Sequence, residues 1–275
     1  MSLYVNNAGT WSLVQDLWVY NGSSWFEPSE TWLNDNGTWK IVHKVINITA
    51  NASNINLYTL AGSPTSPLRL KVNIASGITI NSTDPTLPSL TVGSFVTGSQ
   101  ILLNNSGTIQ GAGGTGGVGA AYGGAGGTGG VGGTAVTAGF PITINNTGSI
   151  IAGGGGGGGG GYGSFSTGSK GNYTVYTEAG SGGGGGAGNV GGAGGAGGTG
   201  ASYNGGAGAN GTTIAGGGGG TATNSPTGGS GGGQGGGGAA GAGTSPGAGG
   251  TSGLYLNGNV NVTWVATGTR LGNVA

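Results

Sequence analysis

GAGGTGGVGAAYGGAGGTGGVGGT, residues 111–134, is the stretch on which the fold turns. Its non-glycine residues keep a count of three: Ala112, Thr115, Val118 and Ala121, then, after a break at Tyr122, Ala125, Thr128, Val131 and Thr134. The spacing returns at Ala187, Val190, Ala193, Ala196, Thr199 and Ser202. Side chains recur every 3.6 residues on a helix and every two on a strand, so neither fits. Three residues per turn is the period of an extended polyproline II-type helix. Collagen uses that helix with one Gly in three and abundant Pro. Here the tracts are Gly-Gly-X, or Gly alone as in 153–161, 182–186 and 216–220, and Pro is scarce. Such a helix has no internal hydrogen bonds, so neighbouring tracts must satisfy one another's amides. Gly-Gly-X tracts are expected on the outside of a bundle, showing X to solvent or to a β-platform, with all-Gly tracts inside. Ordering Gly costs more backbone entropy than ordering any other residue. Order therefore requires nearly every amide to be paired and the tract ends to be clamped. The alternative is a flexible linker, against which the strict phase argues.

Of 77 glycines in 275 residues, 8 lie in 1–110 and 69 in 111–275. The chain thus combines two kinds of architecture. Six Lys/Arg balance six Asp/Glu. A nucleic-acid partner would need a basic stripe, and anionic membrane surfaces are disfavoured for the same reason. There is no Cys, and no apolar run approaches a transmembrane helix, so membrane insertion is not expected. The start, MSLYVNN, lacks the basic and apolar regions of a secretory signal. If the chain acts at a surface, it would be made in a host cytoplasm without a signal peptide and leave as part of a virion.

The first 44 residues repeat with a period of 14: YVNNAGTWSLV at 4–14, WVYNGSSWFEP at 18–28 and WLNDNGTWKIV at 32–42. Tyr4, Trp18 and Trp32 correspond, as do Trp11, Trp25 and Trp39. Aromatic runs around Asn-Gly are a hairpin signal. A lone hairpin is marginal in water, so three hairpins are expected to bury their Trp faces against one another. They form either a Trp-rich mini-core or an attachment module for a trimeric fibre, threefold sequence matching threefold partner.

Residues 45–110 alternate apolar and polar at Val45–Thr49, Leu68–Ile74 and Ile78–Ile80, as half-buried strands do, with Pro64, Pro67, Pro85 and Pro88 as turns. ILLNNSGTIQGAGG at 101–114 is repeated by ITINNTGSIIAGGG at 142–155, each leading into a glycine tract, and LYLNGNVNV at 254–262 reads as a weaker third copy. The expected fold is mostly β plus polyglycine II with little or no α-helix. Its parts are a Trp-rich module (1–44), a β-platform (45–110), a polyglycine segment (111–253) with an embedded β segment at 142–151, and a C-terminal β segment (254–275).

Unusual residues gather where tracts must turn. Tyr122 marks one break, and the longest insert is YGSFSTGSKGNYTVYTE, 162–178, with Tyr162, Phe165, Lys170, Tyr173 and Tyr176. Tyr203 and Asn204 mark another turn, TATNSPT at 221–227 with Asn224 a further one, and Thr134–Pro141 and Thr244–Pro246 are additional candidates. Tyr with Ser, Gly and Asn on loops is the chemistry of antibody paratopes; the alternative is that each Tyr shields the amides of a tract end. Catalysis is not expected. His43 is the only His, Glu178 is the only acidic side chain after Asp84, and no zinc cluster, recurring Asp or phosphate loop exists. No cofactor or metal is expected.

Gly-Gly-X tracts flanked by strands and broken by aromatic loops resemble the polyglycine-rich receptor-recognition proteins at the tips of phage long tail fibres. The Trp/Asn-Gly repeats and the ending VTWVATGTRLGNVA at 262–275 resemble modules of phage tail proteins. The resemblance implies a layered sandwich of polyglycine helices, one end attached to a trimeric fibre or other virion protein and variable loops at the far end binding a host surface receptor, protein or glycan. It places Trp11, Trp18, Trp25, Trp32 and Trp39 in the attachment module and the Tyr-bearing turns at the tip. The N-terminus departs from that family's attachment domain. A passive virion spacer and an ice-binding protein with a flat Thr/Ala array are the rival readings.

Overall fold

In the computed structural model, which describes residues 4–7, 10–13, 18–35, 37–169 and 172–275, the alternating segments are strands with one face buried. In Arg69–Ile74, RLKVNI, every second residue is buried. The strands wind into a parallel solenoid of five rungs, each with three strands, one on each of three sheets. The rungs are Thr38–Ile48, Ala52–Ser53, Ile55–Asn56; Arg69–Ile74, Thr79–Asn81, Leu90–Thr91; Gln100–Asn105, Thr108–Gln110, Val136–Thr137; Ile142–Asn146, Ser149–Ile151, Leu254–Asn257; and Val262–Ala266, Thr269–Leu271, Asn273–Val274.

Stacking in register builds the core as columns. Ile46, Val72, Leu103, Ile144 and Trp264 form one, Ile55, Leu90, Val136, Leu256 and Val274 another. Outside, Asn47, Asn73, Asn104 and Asn145 form a ladder, each side-chain amide donating to the Oδ1 of the rung before at 2.8, 2.8 and 3.3 Å. Such a ladder satisfies polar groups only when the rungs are in register. At the last rung, the Arg270 guanidinium lies 5.0 Å from the Trp264 ring and 5.5 Å from the Tyr255 ring, a charged cap on an otherwise open sheet end.

The third-copy reading of 254–262 is corrected. Leu254–Asn257 pairs with Val136–Thr137 on a different sheet, and the true successor of 142–151 is 262–271. Alternation alone cannot tell one sheet from another. The corner Ser/Thr-Gly can: it recurs at 76–77, 106–107, 147–148 and 267–268, once per rung from the second to the fifth.

The glycine tracts are excursions from within two rungs. One leaves the third rung after Gln110 and returns at Val136; the other leaves the fourth after Ile151 and returns at Leu254. Ten tracts run back and forth: 111–121, 124–134, 152–162, 179–188, 190–201, 204–212, 215–221, 226–233, 236–243 and 246–253. Successive amides of Gly153–Gly161 donate in rotation to the second, fourth and ninth tracts: Gly153 to Gly133, Gly154 to Ala187, Gly155 to Gly236, Gly156 to Gly130, at 2.7–2.9 Å. Three directions in three residues is the threefold register that the sequence period demanded. The fourth tract repeats the scheme toward the first, eighth and sixth.

The pairings define three layers: tracts two, one and five; tracts ten, three, four and six; tracts nine, eight and seven. Tracts three and four are each bonded to six others, and residues 151–161 and 179–188 are buried throughout. In the first layer, the X residues Thr115, Val118, Thr128 and Val131 point outward and are exposed.

The all-Gly rule holds for 153–161 and 182–186 and fails for 216–220. That tract lies in an outer layer, and Gly218 is exposed with open space where a side chain would stand. Lack of side chains permits interior packing but does not require it.

The three N-terminal hairpins are present: Tyr4–Asn7 with Thr10–Leu13, Val19–Tyr20 with Trp25–Phe26, and Glu30–Asp35 with Thr38–Ile48. The expected mutual burial of their Trp faces is not found. Trp18, Trp25, Trp32 and Trp39 are 53, 65, 51 and 64 % exposed; the Trp11 side chain lies outside the described residues. The first two hairpins are each a separate two-stranded sheet, and among the described residues no second layer covers the aromatic face of the second.

A Cβ at Gly157 would overlap the Gly229 carbonyl, whereas one at Gly218 would meet nothing. Gly157→Ala is therefore expected to cost about 3 kcal/mol or more by overpacking. Gly218→Ala should be neutral or raise stability by about 0.5 kcal/mol through the unfolded state. Thermal melting of the two variants checks this; equal losses would contradict the packing scheme.

Candidate functional site

Because tracts alternate in direction, their turns fall at two ends. The turns at 188–190, 212–215 and 234–235 lie beside the solenoid: buried Gln110 donates from Nε2 to the Thr213 carbonyl at 2.8 Å, and Gly235 N–H to Ala152 at 3.0 Å. The turns at 121–124, 162–179, 201–204, 222–225 and 243–246 share the opposite end, roughly 30 Å away at the 3.1 Å rise of the extended helix.

At that distal end the sequence-predicted residues meet. The Tyr122 and Tyr162 rings lie edge to face at 5.7 Å. The insert is an antiparallel hairpin, Gly163–Ser169 with Asn172–Glu178. Phe165 stacks on Tyr176 at 5.0 Å with 16° between planes, and Tyr203 leans on both at 6.0 and 6.1 Å. Tyr162 bridges to Thr244, and Glu178 to Tyr203. Asn204 Oδ1 accepts from the Gly200 N–H at 3.0 Å and so closes its own turn. Asn224 sits exposed at φ 54° in a turn beside the hairpin base, where Ser225 hydrogen-bonds the Ala179 carbonyl. Asn tolerates that left-handed conformation better than most residues.

Tyr122 is 50 % and Val175 62 % exposed. Lys170 and the Tyr173 side chain lie outside the described residues; the Tyr173 backbone stands opposite Gly168. The end is aromatic, hydroxyl-rich and almost free of charge, so it can offer broad contact and adaptable hydrogen bonds. Ser245, also in a left-handed turn at φ 54°, joins it, as the Thr244–Pro246 candidate anticipated. Thr134–Pro141 does not: Ala135, Val136 and Ala138 are buried in the solenoid. The sequence could have shown this, since AVTA lacks the Tyr/Asn character of the other turns.

A second exposed aromatic set lies on the hairpin module: Trp18, Tyr20, Trp25, Phe26, Trp32 and Trp39. A patch of this kind marks an interaction surface. The module is pinned to the solenoid by charge. Glu27 pairs with Lys71 at 2.8 Å and lies 3.7 Å from His43, and Glu30 pairs with Lys44 at 3.0 Å. The hydrogen bond from Lys44 holds the Glu30 carboxyl below its ordinary range. Its small, salt-screened contribution is therefore present at neutral pH and lost as pH falls through the folded-state value. Among the described residues no group of His, Asp and Glu could hold a metal ion, and no helix is long and apolar enough to cross a membrane.

Residues 43–275 match the family model described as phage tail fibre adhesin Gp38. All three Trp repeats, 4–42, lie before the match. No curated protein matches the chain. Among solved structures, the crystal structure of the gp37–gp38 adhesin tip complex of the bacteriophage S16 long tail fibre contains a similar chain. It is 27 % identical with a TM-score of 0.55, covering 85 % of this chain and 82 % of that one.

Tyr203 is the bundle's grip on the hairpin rings. Tyr203→Ala is expected to weaken the hairpin by about 1 kcal/mol, the worth of such aromatic pairs, while global melting stays nearly unchanged. Hydrogen exchange should quicken at 163–178 and not in tracts three and four.

Proposed function

We propose that the distal cluster of Tyr122, Tyr162, Phe165, Tyr176 and Tyr203 is the host-receptor contact of this chain, which belongs to the phage tail fibre adhesin Gp38 family. A virion-associated location follows from that membership. The observation that carries the site assignment is the convergence of aromatic turns, dispersed over 122–245 in sequence, at one end of a rigid bundle. Recognition commonly sits on loops held by a rigid scaffold. Asn204 and Asn224 shape the adjoining turns, and Tyr173 belongs to the same hairpin; Lys170, a further candidate, lies outside the described residues. The target is a group on the host outer surface, and the protein's work there is binding, not catalysis.

The hairpin module is the proposed attachment to the rest of the virion, with Trp11, Trp18, Trp25, Trp32 and Trp39 as its contacts. Two points support it. The similar chain comes from a complex with another tail-fibre protein, and among the described residues nothing covers the exposed indoles. A threefold repeat suits a trimeric fibre. A passive spacer would leave the distal rings unexplained. The flat Thr/Val/Ala face of the first layer is what an ice-binding reading would use, and it leaves both aromatic sets without a role.

Adsorption of labelled protein to host cells tests the first assignment. Replacing 163–177 by a short Gly-Ser turn should abolish adsorption and leave the melting of the bundle intact; unchanged adsorption would refute it. Trp25→Ser with Trp39→Ser should instead lose co-assembly with the fibre and keep adsorption.

A further inference from the structure

The outer edge of the distal hairpin is only half used. Thr177 accepts a hydrogen bond at its carbonyl from Tyr203 N–H at 3.3 Å and directs its own N–H to Ser202 Oγ at 3.4 Å. Ala179 N–H donates to the Tyr203 carbonyl at 3.1 Å. The N–H and C=O of one residue in a strand point the same way and alternate from residue to residue. Residues 177 and 179 therefore face away from the partner strand 163–169, and so do 175 and 173. Residues 178, 176, 174 and 172 face it, in register with 163, 165, 167 and 169. The turn at 202–204 occupies the outward groups only at the base. At Val175, which is 62 % exposed, the strand continues outward with no further strand beside it among the described residues.

Free edges on soluble proteins are usually blunted by Lys, Pro or a bulge. Asn172–Glu178, NYTVYTE, has none of these: its register is unbroken over seven residues, and its one charge, Glu178, sits at the base beside Tyr203. Tyr, Thr and Val are strong strand formers. The opposite strand is a poorer template, with Gly163 at one end and Gly168 at φ 142° near the other.

We propose that the Tyr173–Val175 edge takes up an extended segment of a host surface protein by strand addition. The incoming chain carries on the pairing that Tyr203 begins, with Val175 supplying both the N–H and the C=O of the central contact. Strand addition draws affinity from main-chain hydrogen bonds and specificity from the side chains at alternate positions. The partner is a polypeptide with an accessible backbone edge, since a glycan offers no donor–acceptor alternation at strand spacing. This rests on the distal end being the receptor contact.

The test uses the full chain and whole cells of a strain that it adsorbs to. Val175→Pro removes the outward N–H and obstructs the incoming strand, while the pairs at 174 and 176 persist, because Pro is tolerated on the solvent side of an edge strand. Val175→Thr keeps the backbone donor and changes the side chain. Adsorption is expected to fall at least about tenfold for Val175→Pro and to change less than about threefold for Val175→Thr. Hydrogen exchange at Thr177 and Ala179 should remain slow in both, showing the base of the hairpin intact. Equal adsorption by the two variants, while replacement of 163–177 abolishes it, would overturn strand addition and leave the distal site standing. Equal loss in both would assign the contact to the Val175 side chain and also overturn it. Undiminished adsorption after the 163–177 replacement would refute the site itself.

Discussion

The backbone hydrogen bond between tracts that have no side chains in the way is what the rest of the structure depends on. A Cβ at Gly153, Gly156 or Gly159 would overlap the carbonyls of Ala112, Thr115 and Val118, the oxygens that line the first tract. Removing Cβ lets a tract approach neighbours on three sides at once, and a threefold screw aims one amide at each in turn. Each bond contributes only about 0.5–1.5 kcal/mol net, against a backbone ordering cost of similar size per residue. Order survives because every amide N–H of 152–161 and 179–188 is paired.

That balance explains why the bundle is not free-standing. Its outer tracts keep only part of their amides paired, since Thr115 and Val118 turn outward. The solenoid supplies the margin in a different currency, apolar columns such as Val72, Leu103 and Ile144, all fully buried. Both excursions begin and end on solenoid strands, so the tract ends are fixed at their spacing before the distal turns are reached. The proposed contact surface therefore rides on a scaffold held mainly by the backbone bonds of the tracts and the apolar columns of the solenoid.

Much of this was legible. The count of three in residues 111–134 specified the tract helix, and the 14-residue repeat specified the hairpins. The Tyr-bearing turns were recognisable as a class. Their convergence was not, because it depends on tract direction, and glycine carries no mark of direction. The inner or outer place of an all-Gly tract was equally hidden: 182–186 and 216–220 have the same composition, and only one is surrounded. The Trp faces misled for a physical reason. Their burial was inferred from the chain alone, whereas the structure leaves them open. In the solenoid, 254–257 was assigned to the wrong sheet because alternation is common to all three, and the Ser/Thr-Gly corner that separates them is a two-residue signal.

The placement of the tracts inside rungs has a kinetic consequence. Ile151 and Leu254 belong to neighbouring strands of the fourth rung, yet the whole of 152–253 lies between them. The fifth rung can add only after that excursion has returned. Loop-closure entropy grows slowly with length, but folding rates fall steeply as contacting residues lie further apart in sequence. The apolar edge of the fourth rung is thus left bare for as long as the glycines take to find their register. Assembly of this adhesin should be slow and prone to edge-to-edge association, and the cell that makes it must shield that edge or tolerate the loss.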